Sequence, residues 1–233
     1  MKLSSYIRLW VNRNINAVRL RTWVFLRQNP DLYVVRKNHT QICIEGYPRS
    51  ANSFSVYLFA RANPAVKLAH HTHAIANLIE SVRWQIPAIA LVREPVDAIS
   101  SAYLYGPYDL DYHVKYYIEF YSALKNLRND LVIANFDQII SGGFNNIIQD
   151  VNTLYHTSFN YVDNLEKTSQ EILDQLKRTE YYTQDLRMDP EVVHRRLQAP
   201  HPKKDVLKRQ TQPQIMQHPD IGTANNLFQA VIA

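Results

Sequence analysis

Three segments carry residues whose types and spacing can do chemistry, and each lies where a short apolar run ends. Residues 42–54 read I-C-I-E-G-Y-P-R-S-A-N-S-F. The apolar start predicts a strand, Gly46 and Pro48 predict a turn, and the run from Phe54 has helical character. Between them, Ser50, Ala51, Asn52 and Ser53 form a loop of small residues. Strand, small-residue loop and helix start bring backbone N–H groups to the positive end of a helix dipole, which is the arrangement that grips a phosphate or sulfate. Arg49 adds a fixed cation within reach of the same anion. The plainer alternative is a helix cap after a core strand.

The second segment, residues 86–92 (I-P-A-I-A-L-V), is a continuous apolar run that predicts a buried parallel strand. It ends in Arg93, and Pro95 and Asp97 then suit the first turn of a new helix. Arg93 therefore belongs on the carboxyl edge of the sheet, where ligands bind in open α/β folds. The third segment follows a short strand at 65–69 and reads His70-His71-Thr72-His73. An imidazole titrates near neutrality and suits a general base. In an extended segment His71 and His73 also share a face and could ligate a metal, or they could be hydrogen-bonded histidines of the framework.

The first loop lacks the second Gly and the Lys of a Walker A sequence. It resembles the 5′-phosphosulfate loop of the PAPS-dependent sulfotransferases, close to Y-P-[KR]-S-G-[TN]-[TS]-[WF]. Tyr47, Pro48, Arg49, Ser50, Asn52, Ser53 and Phe54 fit that pattern, and Ala51 stands where Gly is usual. Arg93, Pro95, Asp97 and Ser101 resemble the family's 3′-phosphate motif, R-x-P-x-D-x-x-x-S, with Ser100 as a neighbour of the matching serine. Thr72-His73 resembles the end of its K-T-H segment, with His71 in place of Lys.

The resemblance covers residues 41–140. It implies a three-layer α/β/α sandwich with a central parallel sheet, P-loop NTPase-like, that moves a sulfonate from PAPS (3′-phosphoadenosine 5′-phosphosulfate) to a hydroxyl, or alternatively an amine, of an acceptor and releases PAP without a metal. By the same resemblance the N–H groups of residues 50–53 hold the 5′-phosphosulfate, and Arg49 stabilises charge on the bridging oxygen. His73 is the base, with His71 as the second choice or as a positive charge, and Arg93 and Ser101 bind the 3′-phosphate. Phe54 and Phe136 are candidates to stack on adenine. The late basic stretch R-R-L-Q-A-P-H-P-K-K-D offers Lys203 or Lys204 to close over the 3′-phosphate.

The elements that must position these residues alternate along the chain. Strands are expected at 41–45, 65–69, 87–92 and 130–134. Helices are expected at 52–62, 74–82, 95–105 and 111–127, a pattern that argues for a parallel sheet covered on both faces. Residues 1–40 read as a basic helix and a short strand (L-Y-V-V), residues 41–210 as the α/β domain, and residues 211–233 as a loose tail. In the N-terminal helix Leu3, Tyr6, Ile7, Trp10, Val11 and Val18 recur near helical spacing. Packing on the domain's own core is the preferred reading, and peripheral membrane contact through this basic helix is the alternative. The 15 tyrosines concentrate after Arg93, where helical spacing predicts packing rather than a substrate platform.

Composition bounds the classes. At 233 residues with 46% hydrophobic content, one domain with a substantial core is expected. Cys43 is the only cysteine, which excludes an internal disulfide and fits a reducing, cytoplasmic setting. Net charge is +5. Positive stretches at 1–40 and 195–209 suggest an anionic partner, which charge alone cannot choose. The acceptor stays open among glycans, lipids and small molecules. No specific nucleic acid is expected, although a non-catalytic polyanion binder and a P-loop-like kinase are the competing classes.

Overall fold

The computed structural model describes residues 3–183 and 202–233. Four short strands form one parallel sheet: β1 (Ile42–Gly46), β2 (Leu68–His70), β3 (Ala88–Val92) and β4 (Val132–Asn135), in the order β2-β1-β3-β4. All five residues of β1 and of β3 are buried. That agrees with the apolar runs at 42–44 and 88–92, because a strand covered on both faces has no solvent side, and Glu45 is the buried polar exception.

Alternate residues feed two cores. Cys43, Ala69, Ala88, Ala90 and Val92 face one, and Ile42, Ile44, Ile89, Leu91 and Ala134 face the other. The first core is closed by α4 (Ile75–Arg83), α5 (Pro95–Tyr105), α6 (Leu110–Lys125) and α11 (Ile221–Ile232). The second is closed by α3 (Asn52–Ala62), α8 (Phe144–Tyr155) and α9 (Leu165–Thr183). The sheet therefore lies between two helical layers. The loop after β1 runs to a helix on one face and the loop after β3 to a helix on the other. These strands are adjacent, so the carboxyl rim between them is a topological switch point, the crevice where open α/β sheets take their ligands.

Several expectations need correction. The L-Y-V-V segment forms no strand. Pro30–Leu32 is a 3-10 turn, and the backbone that follows bonds to side chains and to the end of β2. Val35 N–H donates to Asn77 Oδ1 at 3.0 Å, and Tyr33 C=O accepts from His70 N–H at 3.2 Å. Residues 221–232 are a helix and not a tail. Ala224, Phe228 and Val231 bury a stripe of it, and α11 packs against α6.

The N-terminal helix is present as α1 (Leu3–Arg13) and α2 (Ile15–Leu20), but its phase differs from expectation. Ser5, Leu9, Asn12 and Val18 are buried, whereas Tyr6, Ile7 and Trp10 face outward. Polar Asn12 belongs inside because its Oδ1 accepts from the Arg21 guanidinium at 2.7 Å.

Gly46 ends β1 where the strand passes closest to β3. A Cβ there would meet Leu91 O at 2.4 Å and Leu91 Cβ at 2.8 Å. Backbone cannot yield as a side chain does, so Gly46→Ala should destabilise the protein by roughly 1–3 kcal/mol. A urea unfolding midpoint equal to the parent's would show that β1 and β3 are not so closely held.

Candidate functional site

The sequence P-R-S-A-N folds into a tight loop because two of its residues adopt left-handed backbone, Arg49 at φ 73° and Ala51 at φ 63°. Asn52 Nδ2 closes the loop onto Tyr47 C=O at 3.1 Å, and Ser50 N–H reaches the same carbonyl at 3.3 Å. Ala51 is the cap residue of α3, and its methyl side chain makes no capping hydrogen bond to that helix. Its first N–H groups therefore present their partial positive charge at the rim. The left-handed conformation supplies a physical reason for Gly in the pattern the loop resembles.

The loop is joined to the segment after β3. Arg93 Nη1 donates to Arg49 C=O at 2.9 Å, and Arg49 Nε donates to Ser101 Oγ at 3.1 Å. Arg49, Arg93 and Ser101 thus form one cluster. The helix phase separates the two serines, since Ser100 Oγ turns back to Asp97 C=O at 3.1 Å. Arg93 is further held by Asp97 at 2.9 Å and lies 3.8 Å over the Phe136 ring. Phe136 is accordingly a platform for the guanidinium. Phe54 is half-buried and packs on the core beneath α3.

A cation that sequence reasoning did not single out joins this cluster. Lys208 of α10 (Pro202–Met216) approaches Asp97 Oδ1 at 3.3 Å, and Gln212 Nε2 donates to the same oxygen at 3.0 Å. Burial opposes the charge of Asp97, but Lys208 and Arg93 hold its carboxyl below the ordinary range. Lys204 of α10 is buried, and the side chain of Lys203 lies outside the described residues, as do residues 184–201.

The histidine segment owes its shape to Glu45, the fourth residue of β1. Its carboxylate is fully buried and accepts from Thr72 N–H at 2.7 Å, Thr72 Oγ1 at 2.7 Å, His73 N–H at 3.0 Å and Asn77 Nδ2 at 3.1 Å. His71 and His73 can then hold left-handed backbone, at φ 59° and 54°. Burial pushes the Glu45 carboxyl up to about 7, against the hydrogen bonds that favour its charge.

The two candidate bases differ. His71 spends both ring nitrogens, Nε2 on Ser53 Oγ at 2.9 Å and Nδ1 on His70 Nδ1 at 2.6 Å. His73 Nδ1 meets Gly46 C=O at 3.1 Å, and a carbonyl only accepts, so Nδ1 carries the proton and Nε2 keeps its lone pair. Burial, then the His71, Arg21 and Arg49 fields, lower the His73 pKa to about 3, so the ring is neutral at pH 7. Among the described residues no group of three or more His, Cys, Asp or Glu could hold a metal ion.

Tyrosines of α6 pin the loops. Tyr117 OH donates to Arg93 C=O at 2.7 Å, Tyr121 OH accepts from Arg93 N–H at 2.8 Å, and Tyr116 OH donates to His73 C=O. Tyr47, at the start of the loop after β1, donates to His113 C=O at 3.1 Å. The tyrosines of α6 are thus packing, whereas Tyr105 of α5 is exposed and its ring lies 5.2 Å from the Arg49 guanidinium. A cleft of about 670 Å³ opens at the opposite rim of the sheet, lined by Lys37, Gln41, Trp84, Pro87 and Phe159. Its position at the amino ends of the strands and its single charged residue set it apart from the ionisable cluster.

An α/β protein with a four-stranded parallel sheet between two helical layers is the class that the fold defines. No protein-family model, curated protein or solved structure matches the chain.

Two outcomes follow from these environments. Ala51→Gly should raise stability by about 0.5–1 kcal/mol, against the usual sign for glycine in a helix turn, because the left-handed strain is relieved. A loss in thermal or urea unfolding would contradict the loop conformation.

The second concerns pH. His70, His71 and His113 are depressed by burial from 6.5 to about 4, and His73 to about 3, so the unfolded chain binds protons that the folded one refuses. Their stabilisation is complete above 6.5 and is lost as pH falls through about 4. Glu45, raised from 4.5 to about 7, acts oppositely: its contribution is complete below 4.5 and is lost as pH rises through about 7. Four imidazoles outweigh one carboxyl, so urea midpoints should fall between pH 6.5 and 4. Both ring nitrogens of His113 are buried without a partner among the described residues. His113→Phe should therefore flatten the slope, and an unchanged slope would contradict the assignment.

Proposed function

We propose that the protein is a sulfotransferase that moves a sulfonate from PAPS to the hydroxyl of an acceptor, on a P-loop NTPase-like sheet. One observation carries the reading. Arg49, Arg93 and Ser101 form a single hydrogen-bonded cluster on the rim that also holds His73. A donor with a phosphosulfate at one end and a 3′-phosphate at the other needs such paired anion sites.

The local chemistry fits that donor. Among the described residues Ser50 Oγ and Arg93 Nε are buried donors without a protein partner, and a phosphate or sulfonate oxygen is an acceptor suited to both. The uncapped start of α3 and residues 50–53 would hold the 5′ end, with Arg49 beside the bond that breaks. Arg93 and Ser101, with Lys208 behind Asp97, would hold the 3′-phosphate. Asp97 balances Arg93 and Lys208 in the free protein, so nucleotide must share or displace that ion pair.

PAPS supplies an activated sulfonate whose departure leaves PAP. The acceptor oxygen forms a bond to sulfur, the bond from sulfur to the 5′-phosphate oxygen breaks, and the acceptor proton passes to His73 Nε2. Most of the chain's work is alignment and stabilisation of charge. The low pKa of His73 makes it a weak base in the free protein, and an anion bound beside Arg49 would raise it.

Isothermal titration with PAP and with ATP, each without and then with Mg²⁺, tests the donor assignment. PAP should bind the more tightly. Arg93→Ala should weaken PAP about tenfold or more, with the fold retained because Lys208 still neutralises Asp97. ATP binding that requires Mg²⁺, with no preference for PAP, would favour a kinase. His73→Ala should keep PAP affinity and lose turnover of PAPS, and a fully active variant would place the base elsewhere.

A further inference from the structure

The N-terminal segment exposes an apolar surface that the fold leaves uncovered. With Ser5, Leu9 and Asn12 turned inward, the outer face of α1 shows Tyr6, Ile7 and Trp10, exposed at 53%, 55% and 61%. After α2 the chain makes a π-helical turn, Arg21–Phe25. There Trp23, Val24, Phe25 and Leu26 stand exposed in succession at 66%, 47%, 77% and 53%. Nine of the seventeen exposed large hydrophobics among the described residues fall within the first 32 positions, so the exposure is concentrated and not scattered.

Charge indicates what this surface meets. Residues 1–40 hold eight Lys or Arg and one acid, a formal +7, while the whole chain is +5, so the remainder is net acidic. That one acid, Asp31, is already engaged by Arg19 at 2.8 Å and Arg36 at 2.7 Å. Arg27, directly after the apolar turn, is exposed. The geometry of the turn favours a fluid partner. Four consecutive residues of a helical turn point in four directions, which a rigid groove cannot accommodate together and an acyl boundary can. Trp, Tyr and Phe beside Arg are the residues that settle at the headgroup level.

Arg8 donates to Tyr108 OH and Arg13 meets Glu119 at 3.9 Å, so the exposed Arg27 is the cation best placed for lipid. We propose that this segment seats the protein on an anionic membrane surface, with residues 23–26 and the outer face of α1 in the headgroup boundary and Arg27 against lipid phosphates. Among the described residues no helix is long and apolar enough to cross a membrane, so the contact is interfacial. Arg21 connects the surface to the rim, since its Nη1 donates to Asn12 Oδ1 at 2.7 Å and its Nη2 to Thr72 C=O at 3.0 Å. Seating would thus hold the loop of His71 and His73 close to the lipid plane. The proposal does not depend on sulfonate transfer.

Flotation of the full chain with vesicles tests it, using phosphatidylcholine alone and phosphatidylcholine mixed with phosphatidylserine. The protein should float with the mixed vesicles, less so at high salt, and its tryptophan emission should shift to the blue. The double variant Trp23→Ala/Phe25→Ala should lower the partition coefficient by about tenfold or more. It should melt like the parent, since both side chains are exposed. Arg27→Glu should weaken binding to the mixed vesicles with little effect on the neutral ones. Failure to float at about 1 mM anionic lipid, or equal binding by the double variant, would overturn the proposal. So would light scattering that shows a dimer abolished by the same double variant, because a second copy would then cover the face.

Discussion

The carboxylate of Glu45 lies at the end of β1 with no access to solvent, and it gathers Thr72, His73 and Asn77 around itself through four hydrogen bonds. Arg21 and Tyr116 add hydrogen bonds to the carbonyls of Thr72 and His73, so both sides of this backbone are held. Fixing the backbone N–H groups of residues 72 and 73 places the His73 ring against Gly46 C=O, which selects its tautomer and leaves Nε2 as the acceptor. The segment is thereby tied to the same strand that leads into the loop of residues 47–51. A buried carboxyl with several donors is stabilising only while all its partners are present. For that reason the loop behaves as one unit with β1 and not as a free connection.

A second tier of constraint comes from α6. Its tyrosines reach Tyr47, His73 and Arg93 or their backbones, and so touch the loops that follow β1, β2 and β3. Loop positions on a sheet rim are ordinarily variable. Here a single helix fixes three of them, which is how two arginines 44 positions apart come into hydrogen-bond contact. Lys208 and Gln212 complete the cluster from α10 through Asp97.

Much of this framework was legible in the sequence, because the signals were local. Helices at 52–62 and 95–105 were expected with the bounds observed, since a small-residue loop starts one and Glu94-Pro95 starts the other. The strands shifted by one to three residues, within the drift of short apolar runs. Glu45 was not legible, because an acid in an apolar strand gives no sign of donors 27 to 32 positions away. Lys208 was missed for a similar reason: its partner lies on α5, and only tertiary packing joins them. The α11 stripe relies on Ala224, a residue too small to stand out as apolar. The outward phase of α1 depends on Asn12 finding Arg21, and a polar residue on the buried face reverses the reading of the helix.

The central claim is spatial, that one doubly anionic adenosine ligand spans the loop after β1 and the cluster after β3. A crystal structure of the protein with PAP tests it most directly. The account predicts the 5′-phosphate against the N–H groups of residues 50–53 and the 3′-phosphate against Arg93 and Ser101, with Asp97 yielding part of its hold on Arg93. PAP bound elsewhere, or no bound nucleotide in crystals soaked at saturating concentration with this rim open to solvent, would contradict it.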